Sequence, residues 1–376
     1  MNKTLIAMAV AGLMAAPMAA QADATIYGKI HASLDFGDTG LDGEGADSTY
    51  WQSNSSRLGF KGSEDLGGRL KAIWQIENSI GVGSSSSAWA TRNTYVGLQG
   101  GWGTLLGGKH DTPFKTTGRK FDLFGDYVGD TRNLISGKFV DTDTGDSSIG
   151  FDLRPDNALM YKSPVFGNGW DITAMYTFED GDKDSEIMSA NVTWKTGNWH
   201  TSLAYESHGK GNNVDLDGGN IGDQDETGIR LGVKWTPGGW NLNAMYETLS
   251  DVAGYSGVDS DVYGLGVGYK FGKNMIKGQY YVTSNSISGA NDIDATLMAI
   301  AFDHNFSKRT TGYIAYASTS NDANVYYGVD GSGHGGEINS TTAALQAAAV
   351  AAGGPGTDVI SGKDPSAISI GVIHKF

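Results

Sequence analysis

The sequence predicts an all-β fold: a transmembrane antiparallel β-barrel of about sixteen strands, with short turns at one end and long loops at the other. Three observations carry this. The last eleven residues alternate, with Ile368, Ile370, Val372 and Phe376 on one face and Ser369, Gly371 and Lys375 on the other; Ile373 is the exception. A soluble domain that stops inside such a strand exposes a sticky edge, whereas a barrel closing in lipid pairs it back to the first strand. The same two-residue period recurs along the chain, apolar on one side and polar on the other. Finally, 56 Gly, 17 Tyr, 9 Trp and 13 Phe stand against only 7 Pro and no Cys in 376 residues. That balance suits tight hairpins in a large sheet held without disulfides.

The elements follow in chain order. Lys3, the apolar run Leu5–Ala16, Pro17 and Ala20-Gln21-Ala22 read as a secretory signal over residues 1–22, too short for the ~20 residues of a membrane span. Residues 23–376 are then one barrel domain starting with strand Thr25–Asp35. Ile172, Ala174, Tyr176 and Phe178 alternate with polar partners, as do Met188–Trp194, Ile229–Trp235 and Tyr263–Phe271. Short turns fall at Glu64–Gly68, Gly100–Gly103, Gly167–Trp170, Thr196–Trp199, Pro237–Trp240 and Gly272–Asn274. Trp102, Trp170, Trp199 and Trp240 repeat at these turns, where an aromatic girdle would meet one membrane interface. Strands of ~10 residues and their loops fill the chain at about sixteen strands, enough to enclose an aqueous lumen. Two loops stand apart. Residues 111–155 carry Phe114, Phe121, Phe124 and Tyr127 among charges, as a loop folded onto itself would. Residues 321–364 contain an Ala-rich stretch, Thr341–Ala352, that could form a short helix capped by Ser340.

The net charge is −15; loss of Lys3 with the signal leaves 26 basic residues against 42 acids, a net −16. Binding to nucleic acid is not expected of such a chain. The acids crowd the long loops. Asp141-x-Asp143…Asp152 and Asp215-x-Asp217…Glu226 have calcium-loop spacing but lack the Gly that an EF-hand requires at its sixth position. Loosely bound Ca2+ is the most these loops suggest, and no cofactor or metal site is expected. No G-x-S-x-G elbow accompanies the seven His, so catalysis is not expected either.

Several segments together resemble the general diffusion porins of Gram-negative bacteria, in particular the neisserial and proteobacterial branch. They are Thr25–Lys29, Ser56–Gly68, Leu70–Gln75, Arg92–Leu98, Gly103-Thr104 leading to Gly108–Pro113, Tyr161–Pro164 and the terminal Phe376. The resemblance implies an outer-membrane homotrimer of sixteen-stranded barrels, set in lipid and lipopolysaccharide, passing small polar solutes and ions. It implies that loop 111–155 folds inward as a constriction, and that the strand ending in Phe376 is read by the outer-membrane assembly machinery. One departure is Lys109, where the family often has Arg; Lys keeps the charge but loses the planar fork.

Strand parity nominates the pore lining. Leu58 and Phe60 face outward, which turns Arg57 and Lys61 inward; Leu70, Ala72, Trp74 and Ile76 do the same for Lys71, Gln75 and Glu77, and Ile26 and Ile30 for Lys29 and His31. Arg92 shares parity with outward Val96 and Leu98, while its family motif places it in the pore; a bulge would reconcile the two. Lys109 enters on its family motif. On the loop, Asp111, Asp122 and Asp126 are the candidate acids, with Lys115, Arg119 and Lys120 as added positive charge. Basic wall facing acidic loop makes a transverse field. Its local excess of Lys and Arg leans the expected selectivity towards anions, because screening limits charge effects to ~8 Å. The other readings are a sugar-specific channel lined by aromatics such as Tyr27 and Tyr281 and an adhesive barrel, against which the number of strands argues.

Overall fold

A computed structural model of the protein describes residues 23–40, 47–83, 89–135, 150–178, 184–213, 222–287, 291–330, 334 and 362–376. The signal, the Ala-rich stretch 341–352 and most of both calcium-like acidic loops lie outside these residues. So does 136–149 of the expected constriction loop.

Among the described residues seventeen β segments and two α-helices follow one another. The segments are β1 (Asp23–Asp38), β2 (Asp47–Ser53), β3 (Arg57–Gly67), β4 (Leu70–Ser79), β5 (Thr94–Gly100) and β6 (Gly103–Lys109). Helices α1 (Pro113–Phe121) and α2 (Arg132–Ile135) come next, then β7 (Ala158–Lys162), β8 (Trp170–Thr177), β9 (Ile187–Thr196), β10 (Trp199–His208) and β11 (Glu226–Trp235). The chain closes with β12 (Trp240–Ser250), β13 (Asp259–Phe271), β14 (Asn274–Ser286), β15 (Ala295–Asn305), β16 (Thr310–Asn321) and β17 (Ser366–Lys375). Both β2 and β3 pair antiparallel with β1, so they are two halves of one strand and the barrel has sixteen. Ala32 opposes Ser53 while Lys29 opposes Arg57, which leaves one extra residue on the second strand. Ser55 takes it up with a φ of +51°. The Ser56 hydroxyl accepts from the His31 N–H and donates to the His31 carbonyl, both at 2.9 Å. This is a bulge that keeps its main-chain groups satisfied.

Every strand pairs antiparallel with its sequence neighbour, and β17 pairs with β1 from Lys29↔Lys375 to Asp38↔Ser366. The ring therefore has no edge, as a membrane barrel requires. The alternation predicted from sequence is obeyed on the outside. Leu203, Leu231, Leu265, Ile300, Ile314 and Ile370 stand exposed where lipid would be. At the turn side Trp199 stacks on Trp235 (5.5 Å between centroids) and Trp240 packs on Tyr269 (4.7 Å). Such a belt suits an interface where one ring edge is wet and the other oily. Gly67 and Gly68, with φ of +84° and +58°, close the β3–β4 turn in the left-handed region that L side chains avoid.

The inside is not wet throughout. Phe114, Phe124, Tyr127, Val128 and Phe151 from the 111–155 loop are buried against Ala299, Ala301, Ala315 and Ala317 on the inner faces of β15 and β16. The first part of the loop expected outside, residues 322–330, turns inward as well. Val128 bridges Asp330, the Gly129 N–H donates to the Val329 carbonyl at 2.7 Å, and Val325, Tyr326 and Val329 join the same buried cluster.

The seam yields a prediction. Phe376 and Gly28 exchange two main-chain hydrogen bonds of 3.0 and 3.1 Å, and the Phe376 ring fills the space where a Gly28 Cβ would stand. Deleting Phe376 should lower the folded fraction in detergent refolding, read by electrophoretic mobility without heating. An unchanged fraction would mean the ladder above Lys29 closes the barrel alone.

Candidate functional site: a constriction inside the barrel

Helix α1 starts where the sequence allows it to. Thr112 caps it, its hydroxyl accepting the Lys115 N–H at 3.2 Å, Pro113 opens the first turn, and Arg119 and Lys120 sit in the last. Phe114, Gly118 and Phe121 lie on one helix face, and β11 is cut to receive them. A Cβ on Gly228 would strike Phe114 and Phe151, and one on Gly232 would strike Phe121. Between these two glycines stands Arg230, fully buried. It ion-pairs with Glu247 and with Asp152 (2.6 Å to the latter) and donates to the Phe114 carbonyl (3.0 Å) and the Ile135 carbonyl (3.3 Å). Its guanidinium also lies 4.0 Å from the Phe114 ring centroid. A polar row completes the seat: the Thr117 and Ser202 hydroxyls meet at 3.0 Å and the Asn191 amide donates to Thr117 at 3.1 Å.

Held this way, the loop presents charge to the β1–β4 wall. Lys29 meets Asp126 at 2.7 Å; Arg132 reaches the other Asp126 oxygen at 2.9 Å and clasps Asp130. Arg119 stands 3.5 Å from Asp126. Asp111 is bound by Lys115 (3.2 Å) and Arg154 (2.8 Å). On the wall Glu77 takes Arg92 at 2.6 Å, the Tyr27 hydroxyl at 3.0 Å and Arg57 at 4.0 Å. Burial raises the carboxyls of Asp126 and Asp111, but Lys29, Arg119 and Arg132 hold the first well below the ordinary carboxylate range and Lys115 and Arg154 hold the second there too. These acids stay ionised at neutral pH.

The passage runs beside the β3–β6 wall. Inward Lys61 and Lys71 are exposed, and the side chains of Arg57 and Arg119 keep 23% and 27% of their surface accessible, whereas inward groups of β10 and β11 such as Glu206 and Arg230 are fully buried.

Of the residues nominated from sequence, the structure brings Lys29, Arg57, Arg92, Asp111, Lys115, Arg119 and Asp126 together. Arg92 lies before β5, whose ladder begins at Thr94, and its N–H donates to the Glu77 carbonyl at 3.1 Å, one residue out of register with Gln75↔Tyr95, so strand parity does not govern it. Others are placed elsewhere. Lys109 ends β6 with the parity of exposed Leu105 and pairs with Asp156, not with the loop. Asp122 closes a turn by accepting the Phe124 N–H at 2.8 Å and the Thr131 N–H at 3.4 Å. Lys71 opposes Asp65 next to the turn, and Lys61 lies 5.0 Å over the Tyr27 ring; both line the turn-side vestibule. Lys120 points to the β7–β11 wall, as its electrostatic neighbours Asp171, Lys162 and Lys195 show. Tyr281 is fully buried beside Leu134, Ile135 and Leu297 rather than lining a track. Among the described residues no group of three His, Asp or Glu is arranged to hold a metal; Asp152 and Glu226, from the calcium-like loops, are bound to Arg230 and His208.

Sequence reasoning missed Arg132, Arg154, Asp130 and Arg230. One signal was present: Gly228-x-Arg230-x-Gly232 puts a charge between two vacancies on an inner face, a pattern that suits a docked element better than open water.

Residues 7–324 match the family model for Gram-negative porins. The major outer membrane protein P.IB of Neisseria meningitidis serogroup B is 33% identical over 219 residues, covering 55% of this chain and 60% of that protein. Its counterpart in Neisseria sicca is 30% identical over 214 residues, with 56% of each covered. The matched stretch thus spans about three-fifths of these curated relatives. Among solved structures, an anion-selective porin from Comamonas acidovorans superposes with a TM-score of 0.74 at 21% identity, covering 95% of this chain and 100% of that one. The trimer form of OmpT from Vibrio cholerae gives 0.65 at 17%, covering 94% and 99%.

Replacing Arg230 with Met would leave Glu247 and Asp152 buried without their cation, a loss of about 3–5 kcal/mol. Protease applied to the folded Arg230→Met barrel should cut within residues 111–135, which the wild type protects. Equal protection in both would show that the helix is held by other contacts.

Proposed function

The chain belongs to the Gram-negative porin family, and from that membership we propose that it forms a water-filled channel across the outer membrane. Small hydrophilic solutes and ions cross it by passive diffusion, and anions cross more readily than cations. The observation that carries the anion preference is the charge count at the waist. Among the described residues seven basic groups (Lys29, Arg57, Arg92, Lys115, Arg119, Arg132 and Arg154) gather there with four carboxylates, Glu77, Asp111, Asp126 and Asp130. A basic wall and acidic loop also order water across the gap, which slows large apolar solutes. No chemical step is involved.

The working form in this proposal is a homotrimer in outer-membrane lipid and lipopolysaccharide; one structural neighbour is described as a trimer form. The terminal Phe376 strand is the segment offered to the assembly machinery, because it stays unclosed until it meets β1.

Planar bilayers under a salt gradient test the reading. Ohmic steps with a reversal potential on the anion side are expected, and a potential on the cation side would overturn the preference. A charge about 4 Å from a passing ion is worth ~1 kcal/mol in water. Arg57→Ser with Arg119→Ser should therefore shift the permeability ratio several-fold towards cations.

A further inference from the structure

Below α1, on the turn side, lies a group of cations that the waist does not use. Lys195 on β9 opposes His200 on β10, and His200 opposes Lys234 on β11, so the three form one register row across neighbouring strands. All three share the inward parity of buried Thr193, Ser202 and Arg230. Lys120, from the last turn of α1, comes down onto this row: the Lys234 ammonium donates to the Lys120 carbonyl, and Phe121 packs 5.3 Å from the His200 ring. Lys162 on β7 lies within electrostatic range of Lys120. Among the described residues none of Lys120, Lys162, Lys195 and Lys234 has a carboxylate within 4 Å; Asp171 near Lys120 and Asp122 near Lys234 are the acids in their neighbourhood.

Lys195 and Lys234 stand two strands apart on either side of His200, with Lys120 above them; the α1 C-terminus offers them only carbonyls and a partial negative charge, and among the described residues no full anion neutralises the group. The row stands in water-accessible lumen, since Lys162 and Lys195 are exposed. A small anion with two or more charges relieves the repulsion of several ammonium groups at once, which chloride cannot do. We propose that Lys120, Lys162, Lys195 and Lys234 form a subsite for small multivalent oxyanions on the turn side of the constriction. This rests on the channel reading above. In a channel such a subsite concentrates these anions at the exit and lets them hinder chloride while they reside there.

Inorganic phosphate at pH 7.5 is the probe, read by two methods: calorimetric titration of the detergent-folded protein and block of chloride steps in bilayers. Saturable binding and block are expected for wild type. Lys195→Gln with Lys234→Gln should weaken both by about tenfold, since each lost ammonium removes a charge-assisted hydrogen bond. Lys270→Gln, an inward lysine on β13 outside the group, should leave phosphate binding as in wild type. No saturable binding in wild type, or equal binding in the double variant, overturns the subsite. An equal loss in Lys270→Gln overturns it too, in favour of a diffuse positive field. Lysine-dependent binding without any chloride steps would keep the subsite and sink the channel reading.

Discussion

The buried guanidinium of Arg230 is the contact on which the interior of this barrel depends. It joins two strands and two stretches of loop: Glu247 from β12, Asp152 from the returning loop, and the carbonyls of Phe114 and Ile135. Its own strand opens on either side at Gly228 and Gly232, where two phenylalanines of α1 enter. A charge taken out of water is costly unless every partner is in place. Here every partner is in place, and these contacts seat the helix and the charges it carries. Lys29, Arg57 and Glu77 belong to the wall and stay where the ladder puts them, so the width and field of the gap follow from how the helix is bolted.

A second element bears on the same gap. The arm 322–330 packs on Tyr127 and Val128, and Tyr50 donates to Asp330 at 2.8 Å. His334 spans Asp35 at 2.8 Å and the Asp126 carbonyl at 3.4 Å. Loop and arm thus brace one another, and Asp126 is held at its carbonyl by His334 and at its carboxylate by Lys29 and Arg132. The passage is left to the β3–β6 face, where arginines and lysines keep access to water. The proposed ion preference therefore rests on a short stretch of wall and helix and not on the net charge of the chain.

Most of the barrel was legible in the sequence, because lipid on one side and water on the other impose a period of two that no loop chemistry can hide. The sixteen strands, the turn-side tryptophans and the terminal strand all follow from that rule. The same rule misled where water was absent. Arg92 fell off the ladder and Lys109 ended it, so parity or motif alone misplaced each in turn. On β15, Leu297, Ala299 and Ala301 face inward between outward Met298, Ile300 and Phe302. A strand apolar on both faces marks a dry patch inside the barrel, and small inner residues mark where a loop lies down. Which loop fills it cannot be read from the strand, because the partners come from residues with no local period of their own, Gly129, far before Ala299 in the chain, and the arm 322–330.

The seating of the helix inside the barrel is the claim to test, and the chain's lack of cysteine makes the test clean. The Thr117 and Ser202 hydroxyls lie 3.0 Å apart, close enough for paired sulfurs to bond with little backbone movement. In a Thr117→Cys, Ser202→Cys double variant the disulfide should form spontaneously and completely, and single-channel chloride conductance should be the same before and after a reductant. A pair that stays reduced, or a conductance that jumps when the bond is cut, would show that the helix rests elsewhere in the working protein.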